Sequence, residues 1–368
     1  LNRDDEFRRF RMGILIPHGA TREKGRDVKM TDNFDLITMG EVLLRLCAPS
    51  GERLAQSDMF EKWVGGAELN VATGVSLLGL RAGMISKLPN NALGTYVSNR
   101  IRTVGVSDEC LIWDEAPGAR LGLYYYENSA APRKPKVIYD RAGSSMTRLA
   151  TTEIAADLFG RTRMLHTSGI TLALGEGPRK TAIDVIRAAR AAGAQISFDV
   201  NYRANLWSEE EAAETVRSIL TMTDILFVSE ETCRRMFHKT GTLREMLTSF
   251  CGEYGVKIVA STKRVVHNPH CHDFSSVLYE SGTDTVYEEE PYREIEVTDR
   301  IGSGDAYCAG VLFGLLRYGD PQRALEFGNA MAAVKCTVLG DLPDTDCREI
   351  ERTIHEHQGD GPRMEMDR

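Results

Sequence analysis

From residue 34 onward, apolar and polar positions alternate between two periods. Residues 34–40 form a short apolar run closed by Gly40, as a buried strand requires. Over residues 66–80, Leu69, Ala72, Val75, Leu78 and Leu80 recur near the 3.6-residue period of a helix. Gly79 and Gly83 end it, residues 84–88 read as a second strand, and 91–103 as a helix. The pattern then shortens into small strands at 111–113, 120–126 and 137–139, with turn residues between them. Past Leu149 the longer alternation resumes. Strands at 164–168, 195–199, 225–228 and 257–260 are interleaved with helices at 178–192, 209–220 and 230–237. Residues 275–279 and 285–289 read as a hairpin, and 305–318 and 321–334 as helices.

Repeated strand–helix–strand units predict an α/β fold with a central, mostly parallel sheet covered by helices on both faces. The β-rich stretches near 41–64 and 107–140 do not fit that sheet and are expected to form a small lid. The principal domain is placed at 34–350. Residues 1–33 read as a flexible extension, because charges of both signs surround an apolar run too short for a signal-peptide core. Residues 351–368 read as a polar tail.

Composition narrows the function classes. With 368 residues, 42% hydrophobic and 27% charged, the chain is an ordinary globular one, which excludes disorder, collagen and coiled coil as its main state. The net charge of −8 argues against nucleic acid as a partner, while a local group of arginines still permits an anionic substrate. Eight scattered cysteines without a CxxC pair fit free thiols in a reducing, cytoplasmic setting. No apolar run approaches the ~20 residues of a membrane helix, so no membrane partner is expected.

Two segments carry candidate chemistry. In Asp299-Arg300-Ile301-Gly302-Ser303-Gly304-Asp305, two glycines precede an apolar helix. The bare N–H groups of Gly302, Ser303 and Gly304 at a helix N-terminus favour an anion such as phosphate. Asp305, repelled by phosphate itself, suits a general base that takes a proton from an attacking hydroxyl. The plainer reading is a glycine-rich helix cap. In Trp63-Val64-Gly65-Gly66-Ala67-Glu68-Leu69-Asn70, two glycines open a helix and let a hydroxylated ligand approach the backbone. Glu68 or Asn70 would bond that ligand or a neighbouring loop. A simple strand-to-helix connection is the alternative.

In this order and spacing, the two segments resemble the paired signatures of the ribokinase-like (PfkB) sugar kinases. The likeness covers about residues 34–350. Leu123-Tyr124-Tyr125, Tyr139-Asp140-Arg141-Ala142-Gly143-Ser144, His166-Thr167-Ser168-Gly169-Ile170 and Phe198-Asp199-Val200-Asn201-Tyr202-Arg203 look most like 2-keto-3-deoxygluconate kinases. The resemblance implies a three-layer α/β sandwich with a β-sheet lid, ATP and Mg²⁺ as cofactors, and transfer of the γ-phosphate to a primary hydroxyl. It implies Asp305 as base, Gly302, Ser303 and Gly304 as anion hole, and Gly65, Gly66, Asn70, Tyr124, Tyr139, Arg141 and Arg203 as sugar-binding residues. Two arginines also suit an acid sugar, since a guanidinium grips a carboxylate through two hydrogen bonds.

The departures from the family pattern concern nucleotide and metal. Ser229 and Thr232 stand where the family has Asn and Glu, leaving Glu230 or Glu231 to assist Mg²⁺ and the metal ligands unassigned. The usual glycine-rich nucleotide loop is replaced by a segment in which Thr262, Lys263 and Arg264 would meet ATP phosphates, with Gly302 and Gly304. His267, His270, Cys271 and His272 read as an exposed loop rather than a zinc site, and His166 as a core histidine. The function expected is phosphorylation of 2-dehydro-3-deoxy-D-gluconate on its terminal hydroxyl. The alternatives are a fructokinase- or ribokinase-type enzyme, or a non-catalytic sugar-binding protein of the same fold. The lid strands are expected to pair two copies into a homodimer.

Overall fold

The computed structural model describes residues 33–359 except residue 131; the expectations for 1–32 and 360–368 lie outside the described residues. The chain runs through β1 (Phe34–Met39), β2 (Leu43–Cys47), β3 (Glu61–Gly65), α1 (Ala67–Leu77), β4 (Ala82–Pro89), α2 (Ala92–Thr103), β5 (Leu111–Asp114), β6 (Gly122–Glu127) and β7 (Lys136–Asp140). After three short 3₁₀ turns come β8 (Thr162–Ser168), α3 (Gly169–Leu172), α4 (Glu176–Ala191), β9 (Gln195–Asp199), α5 (Glu209–Leu220), β10 (Ile225–Phe227), α6 (Glu230–Arg235) and α7 (Leu243–Tyr254). The last elements are β11 (Ile258–Asn268), β12 (Cys271–Glu280), β13 (Thr285–Glu288), β14 (Tyr292–Glu296), α8 (Ser303–Tyr318), α9 (Pro321–Cys336) and α10 (Cys347–Gln358).

The main sheet has ten strands in the order β13-β12-β11-β10-β9-β8-β1-β4-β5, with β14 paired to β12. From β11 to β5 every pairing is parallel; β12, β13 and β14 join antiparallel. Helices cover both faces because successive side chains point to opposite sides. In β10, Leu226 enters one core with residues of α4, α5 and α7, while Ile225 and Phe227 enter the other with α1, α8 and α9. Helices α8 and α9 lie so close that a Cβ on Gly310 would collide with the carbonyl of Phe327. The three-layer architecture expected from the sequence is therefore present.

A second sheet, in the order β3-β2-β6-β7, forms the lid. It is built from both β-rich stretches, but β5 is not part of it. That strand pairs parallel with β4 at the edge of the main sheet, where Leu111 and Ile112 pack on the core.

Three other expectations are corrected. The strand read at 257–260 does not stop there: β11 continues to Asn268, zipped antiparallel against β12. The histidine–cysteine segment lies at the end of that hairpin and is only partly exposed: His267 pairs with Asp273, and His272 is buried. The boundary at 350 falls inside α10, which Asp346 caps and whose Ile350 and Ile354 are fully buried. His166 is the core histidine expected, bonded to Ser197 Oγ, and burial pushes it down to about 3. Among the described residues no helix is long and apolar enough to cross a membrane.

Candidate active site

The strands β9 and β10 end at two adjoining cavities that β11 runs past, where an open parallel sheet usually receives ligands. One, of about 400 Å³, lies beneath the lid and holds Gly66, Asn70, Tyr139, Arg141 and Asp305. The other, of about 430 Å³, reaches Ser229, Glu231, Thr232 and Thr262. Asp199, Asn201, Arg203 and Gly304 line both. The two sequence-predicted segments are thus brought together at one place.

Gly302 caps α8 with φ 83°, a left-handed conformation that glycine adopts without strain. Any Cβ there would also collide with the main-chain oxygen of Asp341. Ser303 is buried, its N–H donating to Arg300 O at 3.3 Å and its Oγ accepting from Arg264 Nη2 at 2.9 Å. Gly304 faces open space, so a ligand can reach the first-turn N–H groups, which have no intrahelical acceptor. The approach to the turn is open on its Gly304 side, while the Ser303 N–H is engaged with Arg300 O.

Asp305 sits in that first turn and accepts a hydrogen bond from Asn70 Nδ2 at 2.7 Å. Burial pushes its carboxyl up to about 7, opposed by the Asn70 donor and reinforced by nearby Asp199. Asp199 is itself raised to about 6, chiefly by burial. Glu68 lies deeper, raised by burial, its Oε1 accepting from the Ser168 N–H and from the Ser168 and Thr171 hydroxyls. Glu68 therefore bonds the segment Ser168–Thr171, and Asn70 holds the base through Nδ2 while its Oδ1 has no partner among the described residues. A carboxyl group near 7 is poised to take and return protons at neutral pH.

The substrate positions divide sharply. Gly66, with φ 149°, lines the cavity, and a Cβ on it would strike the Glu41 carbonyl. Gly65 does not face the cavity; it makes room for the Asp341 carboxylate. The Tyr124 hydroxyl is spent on Asp341, whereas Tyr139, 5.7 Å away ring to ring, is exposed. Arg141 is bound by Glu41 through Nε at 2.8 Å and through Nη2, and Ser144 donates to the same carboxylate. The Arg203 guanidinium makes no hydrogen bond or ion pair among the described residues; the charges of Asp199 and Asp305 are its electrostatic neighbours. It follows Asn201, whose φ of 36° is tolerated by asparagine better than by most residues.

Strand alternation splits the expected nucleotide set. Thr262 and Arg264 line the cavities, but Lys263 points to the other face of β11 and lines neither. Arg300, unassigned from the sequence, lines the cavity beside Arg264. Ser229 caps α6 by accepting the Thr232 N–H at 3.1 Å. Of the two glutamates left open, Glu230 turns to Arg234, while Glu231 lines the cavity with Glu209, both held by Arg235. No cluster of three metal-ligating side chains exists among the described residues. Asp199 lines both cavities without an ion pair among the described residues, and it would assist a Mg²⁺ held mainly by phosphate and water, as that ion prefers. The missed residues Glu41 and Asp341 carry no local signal: their partners lie far away in the chain.

The family model described as pfkB family carbohydrate kinase matches residues 33–346. A 2-dehydro-3-deoxygalactonokinase of Haloferax volcanii is 35% identical over 328 residues, covering 87% of this chain and 96% of that protein. A 2-dehydro-3-deoxygluconokinase of Bacillus subtilis is 29% identical over 337 residues, covering 89% and 99%. The crystal structure of a 2-dehydro-3-deoxygluconokinase from Thermotoga maritima superposes with a TM-score of 0.83 at 31% identity, covering 88% of this chain and 98% of that one.

Proposed function

The chain belongs to the pfkB family of carbohydrate kinases, and from that premise we propose that it phosphorylates the terminal hydroxyl of 2-dehydro-3-deoxy-D-gluconate from ATP. The observation that carries the acid-sugar reading is Arg203: a guanidinium without an ion-pair partner among the described residues, at the junction of the two cavities. A carboxylate would supply the missing anion through a bidentate pair. Relatives named for the gluconate and for the galactonate sugar support the class of substrate and leave its stereochemistry to experiment.

In this reading the sugar lies under Tyr139 and Arg141, and the triphosphate lies toward Ser229, Thr262 and Arg264. Asp305 accepts the proton of the terminal hydroxyl. The oxygen attacks the γ-phosphorus in line, the bond to the bridging oxygen breaks, and ADP departs. The N–H groups at Gly302, Ser303 and Gly304 bond the charge that gathers on the phosphoryl oxygens. Mg²⁺ would neutralise phosphate charge. Arg264, fixed on Ser303, adds positive charge at the same turn. Two copies would meet through the outer lid face, where Met59, Phe60 and Ile138 are exposed, and sedimentation would report that dimer.

An ATP-consumption assay across the gluconate and galactonate acids, fructose and ribose tests the reading. The acids should turn over, and Arg203→Ala should lower kcat/KM for them by about 30-fold, near 2 kcal/mol, with less than about 3-fold change for any neutral sugar. Equal losses would remove Arg203 from carboxylate binding. ATP binding with no sugar turned over would favour a non-catalytic sugar-binding protein.

A further inference from the structure

Behind the glycine turn lies a group of charges that the reaction above does not use. Arg45 reaches in from β2 and places Nη1 2.7 Å from Asp299 Oδ2 and 3.0 Å from Asp341 Oδ1. Lys335, in the last turn of α9, is 1% exposed. Its Nζ meets only main-chain oxygens, Val338 O at 3.1 Å and Asp299 O at 3.5 Å. No carboxylate lies within ion-pair distance of it among the described residues. The group nonetheless balances: Arg45 and Lys335 face Asp299 and Asp341. Burying four charges is costly, and apolar residues of like volume often serve stability as well. Burial lowers the pKa of Lys335, with Asp299 and Asp341 opposing.

What the charges hold is the turn itself. Asp299 Oδ1 accepts the Ile301 N–H at 3.0 Å, Oδ2 accepts the Gly340 N–H at 3.2 Å, and its own N–H donates to Cys336 O at 3.1 Å. With its carbonyl on Lys335, every polar atom of Asp299 is fastened, three residues before Gly302. On the other side, the Asp341 carbonyl presses on the Gly302 α-carbon, three residues after Val338. Lys335 thus ties together the chain entering the turn and the chain backing it.

We propose that Lys335 is a positioning residue for phosphoryl transfer, its ammonium serving as an internal monovalent cation chelated by the carbonyls of Asp299 and Val338. It touches no substrate. It sets the directions of the N–H groups of Gly302, Ser303 and Gly304. The inference rests on phosphate transfer at this turn, and not on which sugar is the acceptor. Because the carbonyl oxygens already have their cation, the enzyme needs none from solution.

The experiment compares wild type, Lys335→Ala and Lys335→Met in potassium, ammonium and tetramethylammonium chloride at equal ionic strength, with Mg²⁺ fixed and melting followed in parallel. Turnover is read on whichever sugar the panel accepts, or as ATP hydrolysis if none is accepted; the latter case defeats the substrate reading and leaves this one standing. Wild-type rates should agree within about 2-fold across the salts. Lys335→Ala should lower kcat by about 10²-fold, the scale of an ångström-sized misplacement, with KM for the sugar nearly unchanged. Potassium or ammonium, small enough for the vacated site, should restore about 10-fold of that, and tetramethylammonium none. Lys335→Met, which refills the site, should stay slow in every salt. A folded Lys335→Ala variant within about 3-fold of wild type overturns the proposal, as does a loss that no small cation repairs. If neither variant folds, the wild type decides: stimulation beyond about 5-fold by potassium over tetramethylammonium overturns it, and indifference to the salt upholds it.

Discussion

On the floor of the sub-lid cavity, Glu68, Asp199 and Asp305 lie together with no ion pair among the described residues, and burial raises all three. On its roof the opposite holds: Arg141 is bound by Glu41, and Arg45 by Asp299 and Asp341. The same polar chemistry is left unbalanced where protons must move and is closed off where a surface must only keep its shape. Unpaired carboxyls cost stability and gain a titration near neutrality. Paired ones give fixed geometry.

The contrast breaks first at Asp305. Asp305→Asn should lower kcat by about 10³-fold while KM for ATP changes little, since general-base losses run from about 10² to 10⁴; near-wild-type turnover would end its role. The same change should stabilise the fold at pH 8. Between the ordinary aspartate value and about 7, the folded chain keeps a proton that the unfolded chain releases, so wild-type stability falls as pH rises through that window. Urea midpoints of the two proteins should therefore converge near pH 4 and part by pH 8, with the variant the more stable.

The roof should respond in stability more than in chemistry. Glu41→Ala leaves Arg141 without its carboxylate and should cost about 3 kcal/mol in urea unfolding, a unit-scale loss that Asp305→Asn lacks. An unchanged midpoint would mean that the roof pairs are ornamental. The smallest effect is at Asn70. Its amide favours the charged form of Asp305, so Asn70→Ala should move the acidic limb of kcat/KM, set near pH 7, upward by about half a unit. A downward shift would invert the assigned hydrogen bond.

The floor was far more legible in the sequence than the roof, for a physical reason. Gly302, Ser303, Gly304 and Asp305 are adjacent, and a helix N-terminus states its own chemistry. Arg45 and Asp341 are 296 positions apart, and Glu41 and Arg141 are 100 apart. Only the tertiary fold brings them together, and no local pattern encodes it. The same gap explains β11, whose charged half beyond residue 260 shows itself as strand only in its pairing with β12. It explains α10 too, where Ile350 and Ile354 are the buried anchors in an otherwise polar stretch. Lys263 failed for want of strand phase, which is set by where β11 begins.

The pressure of the Asp341 carbonyl on Gly302 has a consequence for synthesis. A ribosome that has just released α8 has made every amide of the phosphate cradle and none of the wall behind it. Until residue 341 emerges, the cradle has nothing to lean on, and an unfinished polypeptide should be unable to spend nucleotide on water.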